Sequence, residues 1–396
     1  MVSRTRYALP LSRSLTRKFD ALSNEFELRL LGASAGDGGR DPRFRLVSPV
    51  RPRVIDGPLF YALLPFRVAG ELRRFRPDAV LAQGGQETGL VIVGRALARV
   101  RARVIADVHA DPRAPTRLYG SRFRRALAPL ADMLARQGIR RADGVRTLSN
   151  FTSQAVREEG VEPTATFPAF MDLESFLETL PAPLPDAPVA VFVGVLERYK
   201  GADVLAQAWR LAAPQVPSAT LHLVGRGTMR GVANGLIAEL PRQTRWTESL
   251  ETDGVVQALD DATVLLLPSR SEGLPRVIIE AACRGRAVVA SVAGGIPDLI
   301  ADGENGLLVP PGDAEALASA LVHVLSDEGV AESLGAAAHR AVQPWLATPE
   351  EYARRVRDLV ESVDPPARSS TRSTGIGALR SRLRGARVRT GPARAV

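Results

Sequence analysis

Cysteine is almost absent from this sequence of 396 residues, which contains only Cys283. A single cysteine closes no intramolecular disulfide and supplies no zinc cluster, so a disulfide-stapled domain and a zinc finger are both excluded. Aromatic residues make up only 5% of the chain. Because nucleic-acid-binding surfaces stack bases on aromatic rings, and no known nucleic-acid-binding module is recognisable, we expect no nucleic acid as a partner.

An Asp-x-Asp sequence is also missing, and His, Asp and Glu residues do not cluster at metal-ligand spacing. We therefore expect neither a bound metal nor another cofactor. No run of about 18 uncharged apolar residues occurs, and no apolar leader follows Met1. The sequence predicts a cytoplasmic protein that does not span a membrane.

Positive charge is plentiful but unevenly placed, with a formal net charge of +9. One basic stretch runs from Arg95 to Arg141 in the first half. No carboxylate side chain follows Asp364, whereas eight arginines do: Arg368, Arg372, Arg380, Arg382, Arg384, Arg387, Arg389 and Arg394. This distribution implies an anionic partner.

The basic tail has two interpretations. Its Ser, Gly and Pro content is typical of a solvated, disordered extension. Alternatively, Ile376, Leu379 and Leu383 lie among its arginines as in an interfacial helix, which would hold the protein on the inner face of the cell membrane. We expect peripheral association with an anionic membrane as one hypothesis.

Short apolar runs alternate with longer helical patterns through the first half of the chain. This alternation predicts a parallel sheet with helices on both faces. The predicted strands are Phe26–Leu31, Asp78–Ala82, Arg103–Val108 and Gly144–Leu148, and the predicted helices include Leu59–Phe75 and Arg122–Arg140.

The same alternation of strand and helix patterns begins again after a proline-dense stretch at residues 181–188, which cannot continue a helix or a central strand. Continuous apolar runs there predict strands buried on both faces. The predicted strands are Val189–Val193, Thr220–Val224, Thr263–Leu267 and Ala287–Ala290, and the helices are Ala202–Ala213, Pro275–Arg284, Ala314–Ser326 and Pro349–Ser362, the last capped by Thr348.

We therefore predict an α/β protein with two doubly wound, Rossmann-like domains that face a central cleft. The predicted divisions are a first Rossmann-like domain at 1–180, a second at 181–345, a helix at 346–363 that packs back across the domains, and a basic tail at 364–396.

The densest motif in the sequence extends from Pro268 to Ala290 and has the pattern strand end, loop, helix, turn, strand. Gly273 allows close backbone approach, and Pro275 suits the first turn of a helix. A helix start offers free N–H groups and the positive end of a dipole to a diphosphate. Glu272 and Glu280 lie on either side of this helix start, where their carboxylates would accept hydrogen bonds from sugar hydroxyls.

This stretch resembles the Glu-x7-Glu motif of the retaining GT-B glycosyltransferases of family GT4. The resemblance continues through Gly294-Gly295-Ile-Pro-Asp298 and Asn305-Gly306-Leu-Leu-Val309. Upstream, residues 192–205 look like the family's first strand and loop, with Lys200-Gly201 at its end, and Leu221–Gly227 looks like the next strand. The likeness covers the second half nearly end to end.

The resemblance implies roles for individual side chains. Lys200 would hold the donor diphosphate, Glu280 the ribose and Glu272 the transferred sugar. The remaining donor-binding candidates are Gly194, Arg198, Gly273, Leu274 and Pro275. Where the family pattern has an arginine directly after the first loop's glycine, this chain has Val195, and we expect Arg198 to supply the charge.

In the first half, His109 follows an apolar strand at the place where the family carries a histidine near the donor sugar. A purely structural histidine is the alternative. Other loops that follow strands supply the acceptor-side candidates, which are Arg6, Tyr7, Gln83, Gly84, Gly85 and Ser149.

The start of the chain departs from the family, because Met1-Val2 runs directly into Ser3-Arg-Thr-Arg-Tyr7. We expect a first strand that is nearly absent, from a miscalled start or an unusually short strand, leaving an exposed sheet edge. The loop Ser3–Ser12 would line the acceptor cleft.

The resemblance implies transfer of a sugar from a nucleoside diphosphate to a hydroxyl acceptor with retention of configuration, in the synthesis of a glycolipid, polysaccharide or other cell-envelope glycan. Two alternatives stay open at this point. One is an inactive, glycosyltransferase-like binding protein, and the other is a basic nucleic-acid-binding protein.

Overall fold

The computed structural model describes residues 1–36, 38–110 and 128–365. Residues up to Pro365 form one compact unit. The predicted helix Arg122–Arg140 is described only from Ala128 onward, and both predictions for the basic tail lie outside the described residues.

The first half builds one parallel sheet. Its strands are β1 (Val2–Tyr7), β2 (Leu30–Ser34), β3 (Phe44–Val47), β4 (Ala79–Gln83), β5 (Arg103–Val108), β6 (Gly144–Thr147) and β7 (Ala165–Thr166). They lie in the order β3-β2-β1-β4-β5-β6-β7. The first strand is therefore central, paired with β2 and β4.

The prediction of a nearly absent first strand is wrong, and so is the exposed edge it implied. Val2, Ser3 and Tyr7 are buried in the sheet. Arg4 and Arg6 make ion pairs with Asp56, so charged side chains can occupy a central strand. Residues 3–7 of the predicted loop are strand, and only residues 8–12 connect β1 to the next helix.

The helices of the first half are α1 (Arg13–Glu25), α2 (Arg53–Phe75), α3 (Gly85–Ala98), α4 (Ala128–Arg141) and α5 (Asn150–Glu158). The predicted strand Phe26–Leu31 is displaced, because Phe26 ends α1 with an N–H that donates to the Leu22 carbonyl. The strand begins at Leu30 and continues through small buried residues.

The second half builds a second parallel sheet. Its strands are β8 (Val189–Val193), β9 (Thr220–Val224), β10 (Thr244–Thr247), β11 (Val264–Leu267), β12 (Ala287–Ser291) and β13 (Leu307–Val309). They lie in the order β10-β9-β8-β11-β12-β13. The four strands predicted from continuous apolar runs are all present, because those strands are buried on both faces.

Helices cover this second sheet and complete the unit. They are α6 (Glu174–Leu177), α7 (Ala202–Ala212), α8 (Arg230–Glu239), α9 (Thr252–Asp260), α10 (Arg276–Cys283), α11 (Ala314–Ser326), α12 (Glu328–Ala341) and α13 (Pro349–Ser362). Thr348 caps α13 as predicted, in a reciprocal capping box with Glu351. Although α13 is last in the chain, its Tyr352, Val356 and Leu359 join the core of the first sheet.

Buried arginines hold the segment that connects the two sheets. Arg284 is 1% exposed, pairs with Asp260, and donates to the carbonyls of Phe176, Thr179 and Leu180. These bonds tie the connecting segment to the second sheet. Within the described residues, no helix is long and apolar enough to cross a membrane.

Candidate active site

The loops at the carboxyl ends of the two sheets meet each other. A Cβ built on Gly273 would lie 2.1 Å from the carbonyl oxygen of His109, and one on Gly295 would lie 3.4 Å from Ser149 Oγ. The Asp298 carboxylate accepts a hydrogen bond from the Phe151 N–H at 2.9 Å. Because parallel sheets bind ligands at this edge, the meeting point is the candidate active site.

Glycines allow the loops of the second sheet to pack backbone against backbone. Gly201 has φ +74°, and a Cβ there would lie 1.9 Å from the Pro268 carbonyl oxygen. A Cβ at Gly225 would lie 1.8 Å from the carbonyl oxygen of Gly194. The loops after β8, β9 and β11 are therefore held in one fixed arrangement.

Lys200 and Glu272 meet at the centre of this arrangement. Lys200 Nζ lies 2.6 Å from Glu272 Oε1, and Ser269 Oγ donates to the same oxygen at 2.6 Å. The Glu272 side chain is only 8% exposed and that of Lys200 18%. The structure thus brings together two predicted donor-binding residues that are far apart in the sequence.

Arg270 is a residue that sequence analysis missed. Its guanidinium binds both carboxylate oxygens of Asp203, at 2.6 and 2.8 Å, and donates to the Arg198 carbonyl at 2.6 Å. Its N–H donates to the Tyr199 carbonyl. Arg270 therefore fixes the 3₁₀ turn Arg198–Lys200. Its position two residues before Glu272 in the loop motif was the available clue.

The side chain of Arg198 is exposed, whereas its backbone carbonyl accepts the hydrogen bond from the Arg270 guanidinium. Val195 is also exposed, at 42%. Gly194 directly follows β8 and donates its backbone N–H to the Val224 carbonyl. The structure places all three residues at the same loop, beside Lys200.

Glu280 lies within helix α10 and is buried. Arg276, one turn earlier, donates to Glu280 Oε1 at 2.5 Å and also to the Asp172 carbonyl at 2.8 Å. Burial raises the pKa of the Glu280 carboxyl, and the Arg276 charge only partly offsets this. Pro275 precedes the first turn, so the start of α10 follows directly after Gly273 and Leu274.

A polar chain lines the first sheet's side of the site. His109 Nε2 lies 2.9 Å from Asp107 Oδ2, and His109 Nδ1 lies 3.1 Å from Gln83 Nε2. Arg146 donates to Asp107 Oδ1 at 2.7 Å. Burial would raise the pKa of Asp107, but the charges of Arg146 and His109 outweigh it and hold that pKa well below its usual range.

Two acceptor-side candidates, Tyr7 and Gly85, pack against other parts of the fold and do not face the cleft. Tyr7 is buried, with its ring edge-to-face against Phe19 and Phe44, so the prediction that it lines the cleft is wrong. A Cβ on Gly85 would lie 2.8 Å from the Ala135 carbonyl oxygen, which makes Gly85 a helix-packing residue.

Besides Gln83, which belongs to the polar chain, the remaining three candidates lie at or near the ends of elements. Ser149 is 2% exposed and caps α5 in a capping box with Thr152. Gly84 has φ +101° at the start of α3. Arg6 is half exposed and pairs with Asp56.

The arrangement combines a lysine ammonium, a helix start and two carboxylates of different environment. Such a set can bind a diphosphate through the lysine and free backbone N–H groups, and hydroxyl groups through the carboxylates. In the described part of the chain, no group of three or more His, Cys, Asp or Glu side chains is placed to hold a metal ion.

Two family models match this chain, one on each sheet. The model described as glycosyl transferase 4-like domain matches residues 7–168, and the model described as glycosyl transferases group 1 matches residues 187–327. Together they cover most of the chain.

Curated relatives agree with these matches. A sulfoquinovosyl transferase of Arabidopsis thaliana is 27% identical over 73% of this chain and 57% of its own length. A D-inositol 3-phosphate glycosyltransferase of Corynebacterium aurimucosum is 30% identical over 47% of each chain. The corresponding protein of Kribbella flavida is 28% identical over 72% of this chain and 69% of its own. The chain spans about half the length of the first two relatives.

Solved structures share the fold. Sucrose-phosphate synthase from Thermosynechococcus elongatus superposes with a TM-score of 0.72 at 21% identity, covering 91% of this chain and 97% of that one. Anabaena HepE, in complex with UDP and glucose, superposes with a TM-score of 0.65 at 17% identity, covering 90% and 99%. The chain thus carries a glycosyl transferase 4-like domain in its first half and a glycosyl transferases group 1 domain in its second half, within a two-sheet GT-B fold.

Proposed function

We propose that this protein is a retaining glycosyltransferase that moves a sugar from a nucleoside diphosphate to a hydroxyl group. The observation that carries the proposal is the contact of Lys200 with Glu272 beside the start of α10. Residues 181–345 form the donor half in this proposal, and residues 1–180 form the acceptor half.

The diphosphate of the donor would lie between Lys200 and the loop Gly273–Pro275. Lys200 and the free N–H groups of the α10 start supply positive charge there, and Arg198 adds its charge from the same loop. Glu280 would bind the ribose, and Glu272 the transferred sugar. Each preorganised charge at such a site typically lowers the barrier by about 3 kcal/mol.

The proposed reaction proceeds on one face of the sugar without a covalent intermediate. The bond from the anomeric carbon to the diphosphate oxygen breaks, and the diphosphate leaves with the electron pair. The acceptor oxygen forms its bond on the same face, and its proton passes to the leaving diphosphate. Lys200 and the helix start stabilise the charge that develops on the leaving group, and the proposal includes no metal ion.

His109 faces this reaction from the first sheet. Its carbonyl oxygen contacts Gly273, and its ring is held between Gln83 and Asp107. A ring fixed on both nitrogens is preorganised to lie beside the donor sugar. Among the acceptor-side candidates, Gln83 is the one that contacts the His109 ring.

The relatives support a sugar-nucleotide donor. HepE binds UDP and glucose in its solved structure. The sulfoquinovosyl and inositol-phosphate transferases are named for glycosyl transfer. We propose that the acceptor is a hydroxyl of a lipid-linked molecule in cell-envelope glycan synthesis, met at an anionic membrane surface.

The test is thermal stability with a panel of UDP-, GDP-, ADP- and TDP-sugars. We expect one nucleotide class to raise the melting temperature and Glu280→Ala to abolish that rise. Glu332→Ala, an exposed carboxylate on α12, is the matched control and should keep it. Stabilisation by none of the four classes would favour an inactive, glycosyltransferase-like protein and would refute the proposal.

A further inference from the structure

Large apolar side chains stand exposed on three helices of the first half. Phe66 is 65% exposed, Leu130 60% and Met133 55%. In the described part of the chain, most of the large exposed apolar side chains belong to these helices: Ile55, Leu63 and Phe66 on α2, Val93 and Leu97 on α3, and Leu130 and Met133 on α4. We name these seven residues the apolar surface.

The three helices pack side by side, with α3 between α2 and α4. A Cβ on Gly94 of α3 would lie 2.8 Å from the Pro65 carbonyl oxygen of α2. A Cβ on Gly89 of α3 would lie 3.0 Å from the Leu134 carbonyl oxygen of α4. Pro65 precedes Phe66, and Leu134 follows Met133. The exposed side chains therefore occupy neighbouring positions on one layer of the fold.

Each helix contributes a stripe rather than a scattered residue. On α2, Ile55, Ala62 and Phe66 are exposed at helical spacing. On α3, Val93 and Leu97 are four residues apart and stand on one face. Single exposed apolar residues need no explanation, but exposed apolar side chains gathered on three adjacent helices indicate an interaction site.

The exposed charges around the apolar surface are mainly positive. The carboxylates Asp56, Glu71, Glu87 and Asp132 of the described helices α2–α4 are all buried or half-buried. In contrast, exposed arginines stand toward the helix ends, at Arg73, Arg74, Arg136, Arg140 and Arg141; of these, Arg74 pairs with Glu71 and Arg136 with Glu159. Arg99 and Arg101 are exposed directly after α3.

We propose that the apolar surface of α2–α4 docks onto an anionic lipid bilayer. Its apolar side chains would enter the boundary between headgroups and acyl chains, while the arginines bind lipid phosphates. The charge pattern argues for this partner, because a mainly positive rim around an apolar centre complements an anionic membrane. It would repel a second copy of the same surface.

The position of the surface suits the proposed function, on which this inference rests in part. Helix α3 begins directly after β4, so its start lies at the edge of the sheet that carries Gln83 and His109. Helix α2 likewise follows β3, and α4 ends before β6. All three helices therefore begin at the cleft edge, and a docked membrane would hold lipid-linked acceptors beside it.

The test places a fluorescent probe on the apolar surface of the full chain. Cys283 is buried, and its pKa is raised to about 11 by burial, so an introduced cysteine can be labelled selectively. Phe66→Cys and Met133→Cys carry an environment-sensitive label. Leu211→Cys, exposed at 47% on α7, is the matched control.

The labelled chains are mixed with vesicles of phosphatidylcholine alone or with equal parts of phosphatidylglycerol. We expect a blue shift at positions 66 and 133 with the anionic vesicles only, and no shift at position 211. In sedimentation, Phe66→Asp should bind these vesicles at least about tenfold more weakly, and Leu211→Asp should bind unchanged.

Other results would overturn the inference. If the chain sediments with vesicles while positions 66 and 133 show no shift, another part of the chain binds the membrane. A blue shift that appears without vesicles and grows with protein concentration would assign the surface to self-association. Because no nucleotide is present, failure here leaves the donor-site proposal to be judged on its own experiment.

Discussion

Gly273 and His109 join the two sheets at the candidate active site, with the histidine carbonyl directly over the position of the missing side chain. Gly273 leads into α10, whose start is the proposed diphosphate site. His109 carries the polar chain of the first sheet. The spacing of the two halves is therefore set at the point where we propose that donor and acceptor meet.

Replacing Gly273 tests the importance of its close contact with the His109 carbonyl. A Cβ there would lie 2.1 Å from a backbone oxygen, which cannot rotate away as a side chain can. We expect Gly273→Ala to lower donor affinity at least about tenfold, measured by titration calorimetry.

The control for that variant is Gly235→Ala in α8, where an added Cβ would meet only a side-chain atom at 4.0 Å. Alanine is favoured over glycine in a helix by about 1 kcal/mol, so this variant should bind normally and be slightly more stable. Equal donor affinity in both variants would contradict the role of the close contact.

The Arg270–Asp203 pair should act through the position of Lys200. Arg270→Ala and Asp203→Asn should each weaken donor binding by about tenfold, because the turn Arg198–Lys200 loses its support. The double variant should be little worse than either single one, with a coupling of about 1 kcal/mol.

The exposed pair of Arg210 and Glu239 is the control for this cycle. It has the same chemistry but lies on α7 and α8, so its removal should leave donor affinity unchanged. If the losses of donor-binding free energy in Arg270→Ala and Asp203→Asn were additive in the double variant, the two residues would act separately.

Asp107 should stabilise the fold in a pH-dependent way. Its pKa is lower in the folded chain than in the unfolded chain, so its contribution is complete above about pH 4 and declines as the pH falls further. Asp107→Asn leaves buried Arg146 without its counter-charge and should cost about 3–5 kcal/mol at pH 7.

Urea unfolding at pH 7 and pH 3 measures this effect. The difference in the free energy of unfolding between the parent and Asp107→Asn should be smaller at pH 3 than at pH 7. A difference that stays constant between these two pH values would mean that Asp107 stabilises through packing rather than through its charge.

The proposed donor site works without a metal ion, because Lys200 and the α10 start supply the positive charge. Donor binding and turnover should therefore persist in excess EDTA within about twofold. Loss of binding in EDTA that added Mg²⁺ or Mn²⁺ restores would show that this part of the mechanism is wrong.

The sequence predicted strands best where both faces are buried. Arg103–Val108, Val189–Val193 and Thr220–Val224 were placed at their observed bounds, because a continuous apolar run has few alternatives. The polar strand β1 was missed because its arginines find a partner, Asp56, that lies about fifty residues away.

Within the site, the loops were predictable, and the pairings between distant segments were not. Lys200, Glu272 and Glu280 could be placed near one helix start from their motif. The Arg276–Glu280 bond follows helical spacing, and so could have been predicted. The Arg146–Asp107 pair and the Gly273–His109 contact join distant segments, and only the folded topology brings them together.

The most direct test of the account is the affinity of the stabilising nucleotide sugar for Lys200→Met, measured by titration calorimetry. Lys18→Met is the control, because Lys18 is the only other lysine in the chain. We expect the Lys200 variant to bind the nucleotide sugar at least about tenfold more weakly and the Lys18 variant to bind it like the parent. Equal affinity in all three proteins would contradict the assignment of the diphosphate site.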